Sequence, residues 1–337
     1  METRFIKRFW LLVSFIVPAL AFPVSTAAAA EKLLVLYTAR TMSQSMPWIA
    51  QEAGLFRNYN LDLQLVYVTG GQPAYAAVLV GDVEVEIAGA SGFVRAFVQG
   101  NSDVTFIGGV KNVLTHSILA KPEINRPENL KGKKIGIARI GSNTHYFAIQ
   151  ALRRFGLDSA RDVALIQTGG APETLAALVS GGIDAGVLTA PADAQAIAVG
   201  FHYVVYGPDL HIPYAGINFV TRRAVIAKRQ QVLGRFMRVM AEATKLLHTD
   251  RELTYKVLGK QLRIEDRKIL DAAYNAEIKA LEPRLIIKPE ALQAILDEVS
   301  QTDPRAKKVK PQQLVDSRYL DEMEKSGFFD QLWAVKK

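Results

Sequence analysis

The sequence from Lys134 to Ala190 reads KIGIARIGSNTHYFAIQALRRFGLDSARDVALIQTGGAPETLAALVSGGIDAGVLTA. Short apolar runs such as Ile135–Ala138 alternate with glycine-rich turns and with longer segments of helical spacing. The order is strand, turn, helix, strand, turn, helix and strand, and Gly156 stands where the first helix should end. The segment therefore predicts a unit of α/β structure.

The same order occurs once before, in Leu34–Ala90. The turn Thr69–Pro73 (TGGQP) precedes its counterpart Thr168–Pro172 (TGGAP) by 99 residues. A helix of the first copy is predicted to stop at Gly54, as its counterpart stops at Gly156. A repeat of this length is too long for a solenoid unit, so the duplication predicts two similar α/β lobes in one chain.

The composition excludes several classes of function. The 337 residues suffice for two domains of ordinary size, and none is cysteine. Disulfides, thiolate metal sites, cysteine nucleophiles and a lipid anchor on an N-terminal cysteine are therefore excluded. Basic residues exceed acidic ones, for a net charge of +8, but they are mixed with acids and form no stripe with aromatic residues. Nucleic acid is thus not an expected partner; the positive excess either has no specific role or helps to attract anions.

The first thirty residues are predicted to be a secretory signal peptide. Arg4, Lys7 and Arg8 precede an apolar run, Phe9–Val24, and Ala28–Ala30 offers a cleavage site of small residues. The run of about sixteen residues is shorter than the ~20 that a spanning helix needs, so cleavage is favoured over an uncleaved anchor. Cleavage lowers the net charge to +6, and the mature protein is expected to be secreted and soluble.

Two segments are predicted to cross between the lobes. One is the strand Val104–Val110 with the turn that follows it, and the other is Pro213–Val220. In the strand Val83–Ile87, glutamates alternate with apolar residues, which predicts one solvent-facing side. After Arg223 the spacing is helical: three or four helices should follow Val225–His248 and cover the first lobe. The predicted organisation is a signal peptide (1–30), lobe one (31–112), lobe two (113–215) and the return of lobe one with its C-terminal helices (216–337).

Four turns follow predicted strands and supply hydroxyls or free backbone N–H groups: Arg40–Ser45, Ser91-Gly92, Ser142–Thr144 and Thr189–Asp193. Ligands of open α/β sheets bind beyond the carboxyl ends of strands, where helix starts offer N–H donors to anions. We therefore predict ligand contacts at Arg40, Ser43, Ser91, Gly92, Ser142, Asn143, Thr144, Thr189 and Asp193. The alternatives are ordinary helix caps for the hydroxyls and a solvated surface residue for Arg40.

Other chemistry finds little support. His145 adjoins a candidate turn and is a possible ligand contact, but no acidic residue nearby in sequence would orient it as a base. The five histidines show no metal-ligand spacing, and Gly136–Ser142 lacks the lysine of a phosphate loop, so neither metal nor cofactor is expected. Trp48, Phe93, Tyr146 and Tyr214 are candidates for apolar pocket walls.

Four motifs carry a resemblance to a known family: Ile49–Phe56 (IAQEAGLF), Thr69–Gly71 (TGG), Asn129–Gly136 (NLKGKKIG) and Tyr319–Phe328 (YLDEMEKSGF). The chain resembles periplasmic substrate-binding proteins of ABC importers of the nitrate/sulfonate/taurine type, within a wider superfamily of thiamine-pyrimidine-synthase-like proteins. The resemblance covers nearly all of residues 31–330. The pyrimidine synthases themselves carry a cysteine-rich motif, which this chain lacks.

The resemblance implies a type II periplasmic-binding-protein fold: two α/β lobes, two strand crossovers forming a hinge, and C-terminal helices packed on lobe one. By motif position, it implies ligand contacts at Ser43, Ser91, Asn112 and Ser142–Thr144. Less directly, it implies contacts at Thr189, Pro191 and Tyr214.

The expected function is that of a monomeric periplasmic receptor, which closes on a small, anionic organic solute and delivers it to an ABC permease. The solute class includes sulfonates, carboxylates, nitrate-like anions and pyrimidines. One alternative is an enzyme of thiamine- or menaquinone-precursor synthesis on the same fold, and another is a ligand-loaded partner of a sensor protein.

Overall fold

The structure is a computed structural model, and it describes residues 29–69 and 71–334. The predicted signal peptide lies outside the described residues, except for its last two alanines. Within the described part of the chain, no helix combines the length and the apolar composition needed to cross a bilayer.

Ten strands of the described residues form two five-stranded sheets. In chain order they are β1 Glu31–Tyr37, β2 Leu61–Tyr67, β3 Val85–Ala88, β4 Val104–Val113, β5 Ser117–Ala120, β6 Lys134–Ile137, β7 Ala164–Gln167, β8 Ala185–Leu188, β9 His202–Val205 and β10 Pro213–Arg222. The strand order is β2-β1-β3-β10-β4 in the first sheet and β7-β6-β8-β5-β9 in the second. In the first sheet, β1 is parallel to β2 and β3, and β10 is antiparallel to β3. In the second, β6 is parallel to β7 and β8, and β5 is antiparallel to β8. The two sheets repeat one arrangement, as the duplication predicts.

Thirteen α-helices of the described chain surround the sheets. They are α1 Met46–Glu52, α2 Leu55–Asn58, α3 Gly71–Val80, α4 Ser91–Val98, α5 Asn143–Arg154, α6 Ala171–Val179, α7 Ala192–Ala198, α8 Arg223–Thr249, α9 Arg251–Leu262, α10 Arg267–Glu277, α11 Pro289–Ser300, α12 Arg318–Lys325 and α13 Phe328–Trp333. The predicted stops after α1 and α5 are both present, because Gly54 (φ +69°) and Gly156 (φ +73°) adopt the left-handed conformation that glycine favours.

We call the first sheet with α1–α4 and α8–α13 the first lobe, and the second sheet with α5–α7 the second lobe. The chain passes from β4 to β5 through residues 114–116 and returns from β9 to β10 through residues 206–212. The two-lobed α/β fold with two strand crossovers is therefore confirmed. The domain boundaries at residues 31–112, 113–215 and 216–337 stay a prediction.

Helices from the C-terminal third pack against both faces of the first sheet. Phe236 of α8 meets Phe219 of β10 edge to face, with ring centroids 5.8 Å apart, whereas Leu292 of α11 joins the core that contains Val220 on the opposite face. The predicted cover of the first lobe is thus confirmed. Five helices follow α8, rather than the three or four expected.

The prediction of a solvent-facing side for β3 is wrong. All four residues of β3 are buried, and Glu86 has no exposed surface. The strand lies between β1 and β10 in the middle of the sheet, and the core packs on both of its faces. The alternation of valine and glutamate predicts a solvent-exposed face, but the core covers both faces of β3, so the strand has no such face.

Candidate functional site

A cleft of about 190 Å³ lies where loops of the two lobes meet. The first lobe contributes residues 38–41 after β1 and 91–93 after β3, and the second contributes residues 138–144 after β6 and 169–172 after β7. Each loop follows the carboxyl end of a parallel strand, which is the edge where ligands bind in open α/β sheets. The four loops therefore converge on one candidate binding site.

Eight of the predicted contact residues line this cleft. They come from both lobes: Arg40, Ser43, Ser91, Gly92, Ser142, Asn143, Thr144 and Thr189. Of the aromatic candidates, Phe93 lines it too, whereas Trp48, Tyr146 and Tyr214 do not. Contact between the eight residues and a ligand stays a prediction.

Two arginines bring positive charge to the cleft from opposite lobes. The guanidinium of Arg40 lies 4.8 Å from the ring centroid of Tyr67, and both residues line the cleft although Arg40 is largely exposed. Arg139 lines the cleft from the second lobe, and its buried Nε has no hydrogen-bond partner within the described part of the chain. Both can donate hydrogen bonds to an anion.

The hydroxyls of Ser142 and Thr144 hold their own turn together. Ser142 Oγ donates to the carbonyl of Arg139 (2.6 Å) and lies 2.9 Å from Thr144 Oγ1, which accepts from the Ala138 N–H at 2.8 Å. Ser142 is also the N-cap of α5, because its Oγ accepts from the backbone N–H of His145. These residues shape the start of α5, and the backbone N–H groups there are the freer donors.

Asn143 reaches across the cleft. Its Nδ2 donates to the carbonyl of Gly216 on β10 at 2.7 Å, and its side chain lies directly against Gly89 of the first lobe. Gly89 leaves space for this approach, since a Cβ placed there would come 2.4 Å from Asn143 Oδ1. Asn143 thus fastens the second lobe to the first.

Gly89→Ala is therefore expected to lower the free energy of unfolding by about 1–3 kcal/mol, the usual cost of overpacking a close contact. Urea unfolding measures it. The double variant Gly89→Ala/Asn143→Ala is the control, because it removes the clashing side chain and should recover part of the loss. A single variant as stable as wild type would show that Asn143 does not occupy this position.

Two of the predicted ligand contacts, Asn112 and Tyr214, contact other parts of the protein. Both side-chain atoms of Asn112 are occupied by the segment before α11: Nδ2 donates to the carbonyl of Ile286 (2.8 Å), and Oδ1 accepts from the N–H of Lys288 (2.9 Å). Tyr214 is fully buried and packs on Tyr146, with ring centroids 4.4 Å apart. Neither lines the cleft, so the structure does not place them at the candidate site.

Three more predicted contacts lie outside the cleft lining. Nδ1 of His145 accepts from the N–H of Gly141 (3.2 Å), and burial lowers the pKa of the ring. Asp193 accepts from the Tyr203 hydroxyl and from the next backbone N–H, and burial raises its pKa to about 6. Pro191 is buried before α7. Like Asn112 and Tyr214, these residues shape the fold around the site.

A buried ion pair that includes the cleft residue Lys111 was not predicted. Lys111, at the end of β4, is 2% exposed, and its Nζ lies 3.0 Å from Oε2 of Glu277 on α10. Oε1 of Glu277 also accepts from the hydroxyls of Thr115 and Thr189. Burial alone would raise the pKa of Glu277, but the ammonium and the hydroxyls hold it below its ordinary value. The charge of Lys111 is therefore compensated within the protein.

Two other titratable side chains of the lining were also missed. His116, in the crossing segment, stays neutral, because burial and the nearby Lys111 lower its pKa to about 3. Glu86, on β3, is fully buried. No local sequence pattern predicts either residue as part of a site, since both reach the cleft only through the pairing of distant strands. The described residues contain no group of three or more histidine, aspartate and glutamate side chains that could hold a metal ion.

Solved structures share the fold. A protein from Bordetella bronchiseptica RB50 matches with a TM-score of 0.76 at 20% identity, covering 88% of this chain and 98% of its own. The periplasmic aliphatic sulphonate-binding protein SsuA from Escherichia coli matches at 0.67 and 21% identity, covering 85% and 92%. The desulfurization enzyme DSZB matches at 0.67 and 13%, covering 88% and 99%. At these identities the likeness shows the periplasmic-binding-protein fold alone.

Sequence comparison gives the family. No curated protein matches the chain significantly. The sequence model described as "NMT1/THI5 like" matches residues 44–252, which is more than half of the chain and includes most of the loops that line the cleft. The chain therefore belongs to the NMT1/THI5-like family.

Proposed function

We propose that the protein is a solute receptor that binds a small organic anion between its two lobes and delivers it to an ABC importer. One observation carries the proposal: loops of both lobes, with helix starts and an arginine on each side, line one cleft. Binding residues of this kind on two lobes favour a closed state only when a ligand links them, which is how such receptors signal occupancy.

The anion would lie between Arg40, Arg139 and the start of α5. The first backbone N–H groups of α5 have no partner within the helix, and its dipole favours negative charge by about 0.3–1 kcal/mol, or up to ~2 in a partly buried site. The two guanidiniums add charged donors from opposite sides. Lys111 and His116 add no free positive charge, since one is paired and the other is neutral.

Location and partners follow from the same proposal. Removal of residues 1–30 would release the mature protein into the periplasm, where it would act as a monomer and meet the permease subunits. The sulphonate-binding protein among the structural neighbours is periplasmic by description, which supports this location. We further propose 31–112 and 216–337 as lobe one and 113–215 as lobe two.

The test starts with native mass spectrometry of protein purified without refolding, which should reveal a bound small molecule. Thermal unfolding with sulfonates, carboxylates and pyrimidines follows, and a true ligand at about a hundredfold excess over Kd should add ~2.7 kcal/mol of stability. Arg139→Gln should weaken that effect, whereas Arg161→Gln, on the surface away from the cleft, should not. No copurified solute and no stabilising compound would contradict a receptor.

An enzyme is the second candidate, favoured by the likeness to DSZB. The cleft offers little for catalysis: the chain has no cysteine, and His116 is too weak a base to take a proton at neutral pH. Turnover of a bound compound that is lost in His145→Ala or His116→Ala would favour the enzyme over the receptor.

A further inference from the structure

Glu86 is a buried acid in the wall of the cleft. Its side chain has no exposed surface, yet it lines the cavity from the first lobe. Neither carboxyl oxygen has a hydrogen-bond partner among residues 29–69 and 71–334. Its position in the sheet is fixed on both sides, opposite Leu36 of β1 and Val220 of β10, so the carboxyl group cannot turn to solvent without moving the strand.

A structural role does not account for this acid. Buried polar groups are normally paired, and an unpaired one destabilises the folded state. The neighbouring Glu84 illustrates the ordinary case, because it accepts from the N–H of Leu34 and pairs with Arg229. Burial raises the pKa of Glu86 to about 8, and no charged side chain offsets that effect. The other charged or titratable groups of the lining are Arg40, Tyr67, Tyr75, Lys111, His116 and Arg139.

Aromatic rings of the first lobe line the same cleft. Tyr75 and Phe93 both line the cleft and meet edge to face, with ring centroids 5.4 Å apart. Rings beside an acid attract cations and flat nitrogen-containing groups, through their π-faces and through the hydrogen bonds that the acid accepts. The positive side chains Arg40 and Arg139 come instead from the loops after β1 and β6. The cleft lining therefore contains an acceptor on a strand of the first lobe and donors for an anion on loops of both lobes.

We propose that Glu86 determines specificity by accepting a hydrogen bond from a nitrogen of the solute, so that the solute carries an N–H donor as well as an acidic group. This inference rests on the proposed receptor function and adds a second chemical group, an N–H donor, to the acidic group of the solute. A protonated amine and an amino-substituted ring both supply such a nitrogen. A solute with an acidic group alone could accept a hydrogen bond from the protonated carboxyl, but it would leave the carbonyl oxygen of Glu86 without a donor.

The experiment compares matched probes by titration calorimetry at pH 7. Each pair shares its acidic group and differs in the nitrogen: 2-aminoethanesulfonate with ethanesulfonate, 4-(aminomethyl)benzoate with 4-methylbenzoate, and 4-aminopyrimidine-5-carboxylate with pyrimidine-5-carboxylate. We expect the nitrogen-bearing member of the pair that fits to bind about tenfold or more tightly where the nitrogen is an ammonium, the usual effect of a charge-assisted hydrogen bond, and about threefold or more tightly where it is a neutral amino group. Glu86→Met, which has no oxygen to accept the hydrogen bond, should abolish the preference. Glu290→Met, which replaces an exposed acid of α11, is the matched control.

The outcomes separate the inference from the function on which it rests. Equal or tighter binding of the nitrogen-free member, or a preference that survives Glu86→Met, overturns the role of Glu86 and leaves the receptor intact. A copurified solute without a donor nitrogen does the same. Absence of any bound solute, together with no binding of any probe, overturns both. Calorimetry in buffers of different ionisation enthalpy distinguishes the two nitrogen sources, because only an ammonium should drive proton release from Glu86.

Discussion

Lys111→Met is expected to lower the free energy of unfolding by about 3–5 kcal/mol. The reason is that Glu277, which is 1% exposed, would keep its carboxylate and lose the ammonium 3.0 Å away. The hydroxyls of Thr115 and Thr189 would still donate to it, but two neutral hydrogen bonds do not replace a buried counter-charge. Because this network joins β4, α10 and the end of β8, its loss should loosen the contact between the lobes. Urea unfolding, followed by tryptophan fluorescence, measures the change.

The matched controls are a double variant and a surface variant. Lys111→Met/Glu277→Gln removes both charges and keeps an acceptor for the two threonines, so it should recover much of the stability that the single variant loses. Lys260→Met removes an exposed partner of Glu52 and should have little measurable effect, since solvent screens such pairs. If Lys111→Met unfolds at the wild-type urea concentration, the buried pair is absent from the folded protein.

The architecture could be predicted because its signals are local in the sequence and occur in both halves of the chain. The glycines after α1 and α5 mark helix ends wherever they occur, since their left-handed conformation depends on the residue itself. The repeated order of strands and turns then implies two similar sheets, and the turns after the strands imply where a ligand binds. Eight of the thirteen candidate contacts line the cleft for this reason, and their contact with a solute remains to be measured.

The remaining features depend on tertiary contacts that no local pattern encodes. The sequence predicts Asn112 just after a crossing strand, as for a ligand contact, but it lies within β4 and its amide binds the backbone before α11, more than 170 residues further along the chain. Lys111 and Glu277 are 166 residues apart in sequence, and nothing in either segment indicates that they pair. The sequence predicts a solvent-exposed Glu86 because this residue alternates with apolar ones, and only the central place of β3 in the sheet buries it.

The burial of Glu86 also predicts how stability depends on pH. The pKa is about 8 in the folded protein, above the ordinary 4.5 that the side chain regains on unfolding. Between these two values the folded state holds a proton that the unfolded state releases, so the contribution of Glu86 is fully present below pH 4.5 and is lost as the pH rises through 8. We expect the ligand-free protein to lose up to about 1.4 kcal/mol per pH unit from this group within that interval. Urea unfolding at half-unit steps from pH 5 to pH 8 measures the slope.

Glu86→Met separates this contribution from those of other groups. Methionine has nearly the same shape and needs no hydrogen bond, so at pH 5 the variant should be more stable than the ligand-free wild type by about 1–3 kcal/mol, and the gap should widen towards pH 8. The other titratable groups are the same in both proteins, so their contributions cancel in the difference. The same variant should lose the nitrogen preference of the cleft, because a residue kept for binding can weaken the empty protein. A variant that is less stable than wild type at every pH would instead assign Glu86 a structural partner in the folded protein and remove the reason to expect one in the solute.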